Sequence, residues 1–223
     1  AQIGVFGQMV LKGYIYRGLK PVHWSPSSKT ALAEAELEYP EGHTSRSLYA
    51  AFQMTGLADS VKEGLTPYLP ELGVAIWTTT PWTIPGNLAV ALNPELTYAV
   101  VEVGEGETPI NYKYLIVAAE LVDRLSATFG CNLTVKTTVK GEQLENCTYK
   151  HPLFDRESPV VIGGDYVTTE SGTGLVHTAP GHGQEDYIVG RRYELPILSP
   201  VDGNGDFTEE AGQFAGLNVL KDG

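Results

Sequence analysis

Two short segments of the chain carry residue types whose spacing suits chemistry. The first runs Trp77-Thr78-Thr79-Thr80-Pro81-Trp82-Thr83-Ile84-Pro85-Gly86-Asn87. Three consecutive threonines closing an apolar stretch offer hydroxyls and backbone amides on alternating sides, and Pro81 and Pro85 stiffen the residues after them. Such a surface exchanges hydrogen bonds with a sugar, an ester carbonyl or a water, and supplies no charged nucleophile. Sheet packing accounts for the same threonines equally well, because β-branched residues suit strands.

The second segment runs from Ser171 through His177 and His182 to Tyr187. Glycines at 172, 174, 181 and 183 allow a ligand to approach the backbone closely. His177 falls at a strand end, and Asp186 falls in the first turn of a helix, where the dipole favours an ionised carboxylate. A partly buried carboxylate is a natural receptor for an ammonium group. Rival readings fit less well. His177, His182, Glu185 and Asp186 match no zinc spacing. A Ser171/His177/Asp186 triad lacks the strand-turn-helix elbow of a hydrolase nucleophile. The glycines are followed by no Gly-Lys-Ser/Thr ending, so they form no phosphate loop. His23, His43 and His151 read as structural histidines.

The elements that must position these segments are short and mostly extended. Gly73 to Thr80, Leu88 to Leu92, Thr97 to Val103, Tyr112 to Ala118, Val160 to Gly163 and Gly174 to Thr178 read as strands. A helix is expected over 119–129, closed by Gly130 in the left-handed conformation, and another over 183–193. Apolar residues between Val5 and Leu19 recur at helical spacing, weakened by Gly13 and Gly18 and limited by Pro21. Asp202 to Asp206 reads as a tight turn. The expected architecture is mostly β with peripheral helices.

Composition narrows the function classes. The 223 residues suffice for a buried core, and 25 Gly with 14 Pro argue against a long-helix bundle. Fifteen Lys and Arg against 27 Asp and Glu give a net charge of −12, which opposes a simple nucleic-acid clamp. No apolar run reaches the ~18 residues of a membrane span. Two cysteines, Cys131 and Cys147, form no framework, and a reducing compartment is expected. The start, Ala1-Gln2-Ile3-Gly4, has neither an initiator Met nor a secretory layout and reads as part of something longer.

Together the two segments resemble the editing domain, connective polypeptide 1, inserted in isoleucyl-tRNA synthetases. The resemblance spans essentially the whole chain, beginning at Lys12-Gly13-Tyr14-Ile15-Tyr16-Arg17-Gly18-Leu19-Lys20-Pro21-Val22 and continuing through Ala31 to Tyr39. Leucine and valine enzymes typically carry Thr-Thr-Arg-Pro where this chain has Thr78-Thr79-Thr80-Pro81, and usually lack a histidine at the place of His177. The motifs therefore favour the isoleucine branch. The resemblance implies a β-barrel-like editing domain over 1–223, with 1–22 and about 200–223 flanking the junction with the synthetase core. It implies hydrolysis of valyl-tRNA for isoleucine; the alternative is a β-domain that docks without catalysis or binds an aminoacyl-adenylate. Thr78, Thr79 and Thr80 would line the pocket and contact the terminal adenosine, ester or water. Trp82 would form a wall, and Asn87 would match a polar residue implicated in editing. Asp186 would hold the α-ammonium, and His177 would help exclude isoleucine. The implied partners are isoleucine-accepting tRNA and the synthetase core, with no DNA or membrane. No cofactor or metal is expected here. ATP and Mg belong to the aminoacylation site, whose His-Ile-Gly-His and Lys-Met-Ser-Lys-Ser motifs this sequence lacks. The expected compartment is the cytoplasm or an organelle interior.

Overall fold

The computed structural model describes residues 1–42, 44–106 and 108–221. Their elements are, in chain order, α1 (Gln2–Leu11), β1 (His23–Ser25), β2 (Thr30–Leu32), β3 (Leu48–Gly56), α2 (Asp59–Leu65), β4 (Leu72–Thr78), β5 (Ala89–Leu92), β6 (Thr97–Gly106) and β7 (Tyr114–Ala118). Then come α3 (Val122–Phe129), β8 (Cys131–Lys140), β9 (Thr148–Lys150), β10 (Glu157–Ile162), β11 (Val176–Thr178) and α4 (Gln184–Arg192). Nine strands form one mixed sheet in the order β11-β5-β10-β9-β3-β4-β7-β6-β8, while β1 and β2 pair apart from it.

The central strands are buried because their sequences are apolar on both faces. The first five residues of β4, Leu72 to Ile76, are all buried, as are all four residues of β5. Such runs suit strands covered on both sides. β5 pairs parallel with β10 and antiparallel with β11, so Val90 sits between Val160 and His177. β11, at one end of the sheet, also packs against β4 in its middle, so the sheet curls back on itself. Thr173 ties this closure, its hydroxyl donating to the Ala75 carbonyl at 2.7 Å while its own carbonyl accepts the Ala118 N–H at 2.8 Å. The fold is mostly β with peripheral helices, as the sequence implied.

α3 buries Val122, Leu125 and Phe129 against the sheet, the i, i+3, i+7 stripe of an amphipathic helix. Gly130 ends it at φ 64°, where glycine carries no Cβ penalty.

Three expectations need correction. The threonine strand stops at Thr78, because the Thr80 N–H folds back to donate to Thr78 Oγ1 at 3.0 Å and a 3-10 turn, Pro81–Gly86, begins. The N-terminal helix ends at Leu11, ahead of Gly13 at φ 74°, and none of its residues is buried. β3, α2, β8 and β9 join the fold without having been expected. Residues from Val201 onward fold back through bridges Val201–Phe207 and Asp206–Asn218, and Phe207, Ala211 and Val219 pack with Trp82.

Candidate functional site

The 3-10 turn that comes after β4 is held rigidly from below. His151 is buried, its Nε2–H donates to the Ile84 carbonyl at 2.9 Å, and its Nδ1 accepts the N–H groups of Leu153 and Phe154. Burial lowers its pKa to about 4, so it stays neutral and structural. Arg156 Nη2 adds a bond to the Pro85 carbonyl at 3.1 Å. His23 lies exposed on β1, and His43 lies outside the described residues.

At the end of β4 is a cavity of about 240 Å³, walled by Trp77, Thr78, Thr79, Tyr166, Thr168 and the run from Ser171 to His177. Thr78 comes from the end of β4, and Thr79 is exposed at its rim. The 171–177 run reaches the cavity because Gly172 and Gly174 turn at φ 71° and 79°. Gly174 also lies so close to Ala118 that a Cβ there would meet the Ala118 Cβ at 2.3 Å. Thus Thr78, Thr79 and His177, far apart in sequence, meet in one hollow.

His177 is buried and fully engaged. Its Nδ1 is 2.7 Å from Asn87 Nδ2 and its Nε2 is 2.9 Å from Thr83 Oγ1. Burial lowers its pKa to about 3, with further lowering from His182 and His151. A neutral ring with both nitrogens occupied has no free lone pair for general-base work, so it acts as a surface.

The other expected site residues take different places. Thr80 is half-buried, and its carbonyl accepts both the N–H and the hydroxyl of Thr83, at 3.0 and 2.8 Å. Asn87 is fully buried behind His177, its polar atoms bonded to Tyr149, Ala89 and His177. Trp82 makes an edge contact with His182, ring centroids 5.2 Å apart, and lines a separate hollow with Trp24 and Asp202. Asp186 lies outside the cavity wall, in the first turn of α4. Its Oδ2 accepts the Ala179 N–H at 2.9 Å, and burial raises its pKa to about 6. The helix-terminus argument anticipated the opposite direction; here desolvation outweighs it.

No hydrogen bond joins Ser171, His177 and Asp186 into a triad among the described residues. Among the same residues no group of three His, Cys, Asp or Glu is placed to hold a metal, and no helix is long and apolar enough to cross a membrane. The sequence motifs held no sign of Tyr149, and Thr83, which lies within the first motif, was given no role there. Tyr149 carries no motif of its own, and only the pairing of β9 with β3 and β10 brings it under Asn87.

The family described as tRNA synthetases class I (I, L, M and V) matches residues 1–188. The isoleucine–tRNA ligase of Nostoc punctiforme is 77% identical over 223 residues, and that of Gloeothece citriformis 78% over 222. Each alignment covers 100% of this chain, and the chain spans 23% of the length of each relative. Among solved structures, the GlLeuRS-CP1 crystal structure superposes with a TM-score of 0.55 at 13% identity, covering 78% of this chain and 91% of its own. The P. knowlesi cytosolic leucyl-tRNA synthetase editing domain gives 0.51 at 13% identity, covering 70% and 68%. At such identity the likeness concerns the fold. With its family model and near relatives agreeing over most or all of its length, this chain belongs to the class I tRNA synthetases of the I, L, M and V group.

Proposed function

We propose that the cavity hydrolyses valyl-tRNA for isoleucine, releases valine, and spares isoleucyl-tRNA. The observation that carries this reading is the meeting of the Thr78–Thr79 strand end with the neutral, doubly bonded His177 ring in one small hollow. An aminoacyl ester is already activated, so water aligned by threonine hydroxyls suffices and no covalent nucleophile is needed. Asp186 lies outside the wall of this cavity, and its role as anionic receptor for the α-ammonium follows from the resemblance; its Oδ1 accepts no hydrogen bond among the described residues. The need for such a site is energetic. One methylene in an apolar pocket is worth only about 1–3 kcal/mol, a general limit for which the isoleucine enzyme is the type example, so a pocket sized for isoleucine admits valine too often. A second pocket inverts the steric test.

His177→Ala enlarges the cavity on the side of the larger substrate. It is expected to raise deacylation of isoleucyl-tRNA about tenfold or more and to change the valyl rate little. Release of each labelled amino acid from isoleucine-accepting tRNA measures both rates. An unchanged isoleucyl rate would remove His177 from the wall.

The net charge of −12 fits a division of labour in which the rest of the synthetase grips the tRNA body. In this reading the flanks, 1–22 and about 200–223, lie at that junction. Exposed apolar residues on α1 and beyond it, including Phe6, Val10, Tyr14 and Tyr16, offer the core a surface. Deacylation by the 223-residue chain alone should therefore be weak and salt-sensitive. Tight binding of intact tRNA to this chain at about 0.15 M salt would overturn the division.

A further inference from the structure

Behind the cavity runs a chain of hydrogen bonds of which the hydrolytic reading uses only the two at His177. It starts at Tyr149 on β9, a fully buried tyrosine whose ring stacks on Phe52 with centroids 5.4 Å apart. Burial pushes the phenol far above its usual range, so the hydroxyl always carries its proton. That hydroxyl donates to Asn87 Oδ1.

The remaining links are set by what each atom can do. Asn87 Nδ2 lies 2.9 Å from the Ala89 carbonyl, which can only accept, and 2.7 Å from His177 Nδ1. An amide NH2 only donates, so Nδ1 carries no proton and the proton of the neutral ring sits on Nε2. Nε2–H then donates to Thr83 Oγ1 at 2.9 Å, and the Thr83 hydroxyl donates to the Thr80 carbonyl at 2.8 Å. Every donor in this chain meets an acceptor. Reversing the amide would set Asn87 Oδ1 against the Ala89 carbonyl, an acceptor facing an acceptor at 2.9 Å. The relay therefore has one consistent direction, from the sheet interior to the threonine turn.

We propose that Tyr149 is a specificity-determining positioning residue: by holding Asn87 from behind, it fixes the tautomer and orientation of the His177 ring that walls the cavity. It touches no substrate and acts only through that ring. The proposal rests on the reading of His177 as the barrier to isoleucine. Tyr149→Phe keeps the stacked ring and deletes the donor, leaving Asn87 Oδ1 buried and unpaired. The amide is then held on one side only, the imidazole gains freedom, and the barrier loses its fixed outline.

The test has two readouts. In 15N-histidine-labelled 223-residue chain, nitrogen–proton correlation spectra should show His177 as the Nε2–H tautomer in the wild type and a tautomer mixture or broadened signal in Tyr149→Phe. In the full-length synthetase, Tyr149→Phe should lower the ratio of valyl- to isoleucyl-tRNA deacylation about tenfold. In a His177→Ala background the same change should leave the ratio unmoved, because the ring it acts through is gone. A general loss of packing would lower both backgrounds alike, and that result would overturn the proposal. So would an Nδ1–H tautomer in the wild type, a measurement that needs no variant, or a Tyr149→Phe enzyme with unchanged tautomer and ratio. If the wild-type enzyme fails to prefer valyl-tRNA, the hydrolytic reading falls instead, and the tautomer spectra still judge the hydrogen-bond relay.

Discussion

Replacing Asp186 by asparagine is expected to lower valyl-tRNA deacylation about 100-fold or more and, in the same protein, to raise the melting temperature by a few degrees. The two effects share one cause. The carboxylate is largely withdrawn from water, and burial lifts its pKa to about 6 against a partial counterweight from the Ala179 N–H. The folded chain thus holds this proton more tightly than the unfolded chain, where the value is near 3.8. Stability from this group is full below about pH 4 and is lost as pH rises through about 6. At pH 7 the ionised Asp186 therefore destabilises the fold by roughly 1–2 kcal/mol, allowing for residual solvent. Asparagine can still accept the Ala179 N–H and carries no charge, so that penalty disappears. It cannot hold an ammonium as an anion does, and removing one partner of a desolvated charge pair typically costs about 2–5 kcal/mol. The pH profile supplies an independent check. The wild-type kcat/KM should fall below an apparent pKa near 6, the value of the free site, while the residual activity of Asp186→Asn should lack that limb. A variant that keeps wild-type activity would separate Asp186 from the substrate, and one that melts lower at pH 7 would overturn the burial penalty assigned to its carboxylate.

The second large effect is structural. Gly174→Ala is expected to destabilise the protein by about 3 kcal/mol or more, lowering the melting temperature by roughly 10 °C. Two contributions add. A left-handed backbone at φ 79° penalises any Cβ by about 1–2 kcal/mol, and this Cβ would sit 2.3 Å from that of Ala118 on β7. Relief by moving the backbone would pull the Gly174 carbonyl away from the Tyr98 hydroxyl, now at 2.8 Å. Gly164→Ala is the internal control. Its φ is 100° but nothing lies within 4 Å of the added Cβ, so only the conformational contribution applies. Denaturant titrations of the two variants should therefore differ by about 2 kcal/mol, and equal midpoints would show that Ala118 yields.

Much of the frame was legible because it is written in apolar runs and glycine punctuation. Leu72 to Ile76 and Ala89 to Leu92 declare strands buried on both faces, and Gly130 marks the end of α3. β3 was missed because Leu48-Tyr49-Ala50-Ala51-Phe52-Gln53-Met54 mixes alanines with large side chains and lacks a clear alternation. β8 does alternate, but in threonines and lysines suited to an exposed edge, which read equally as loop. The two chemical segments were visible as motifs, and the sheet brings them together at Thr78, Thr79 and His177. Their inner layer was not visible. Asn87 looks like a polar ligand in sequence, yet it is sealed beneath His177, and its partner Tyr149 is 62 residues away. Likewise nothing in sequence showed that desolvation would outweigh the helix dipole at Asp186.

The closure of the sheet has a kinetic consequence. The bonds that complete the cavity join residues far apart in the chain: His177 to Thr83 across 94 positions, Thr173 to Ala75 across 98, and Tyr98 to Gly174 across 76. Contacts of such long range form late, after their loop-closure entropy has been offset by other structure. During synthesis the threonine turn emerges first and waits for the segment near residue 177. A chain still on its way to the native state lacks both the Thr173 bond to Ala75 and the His177 bond to Thr83. The Thr78–Thr79 rim and the His177 wall of the cavity thus come together only as the sheet closes.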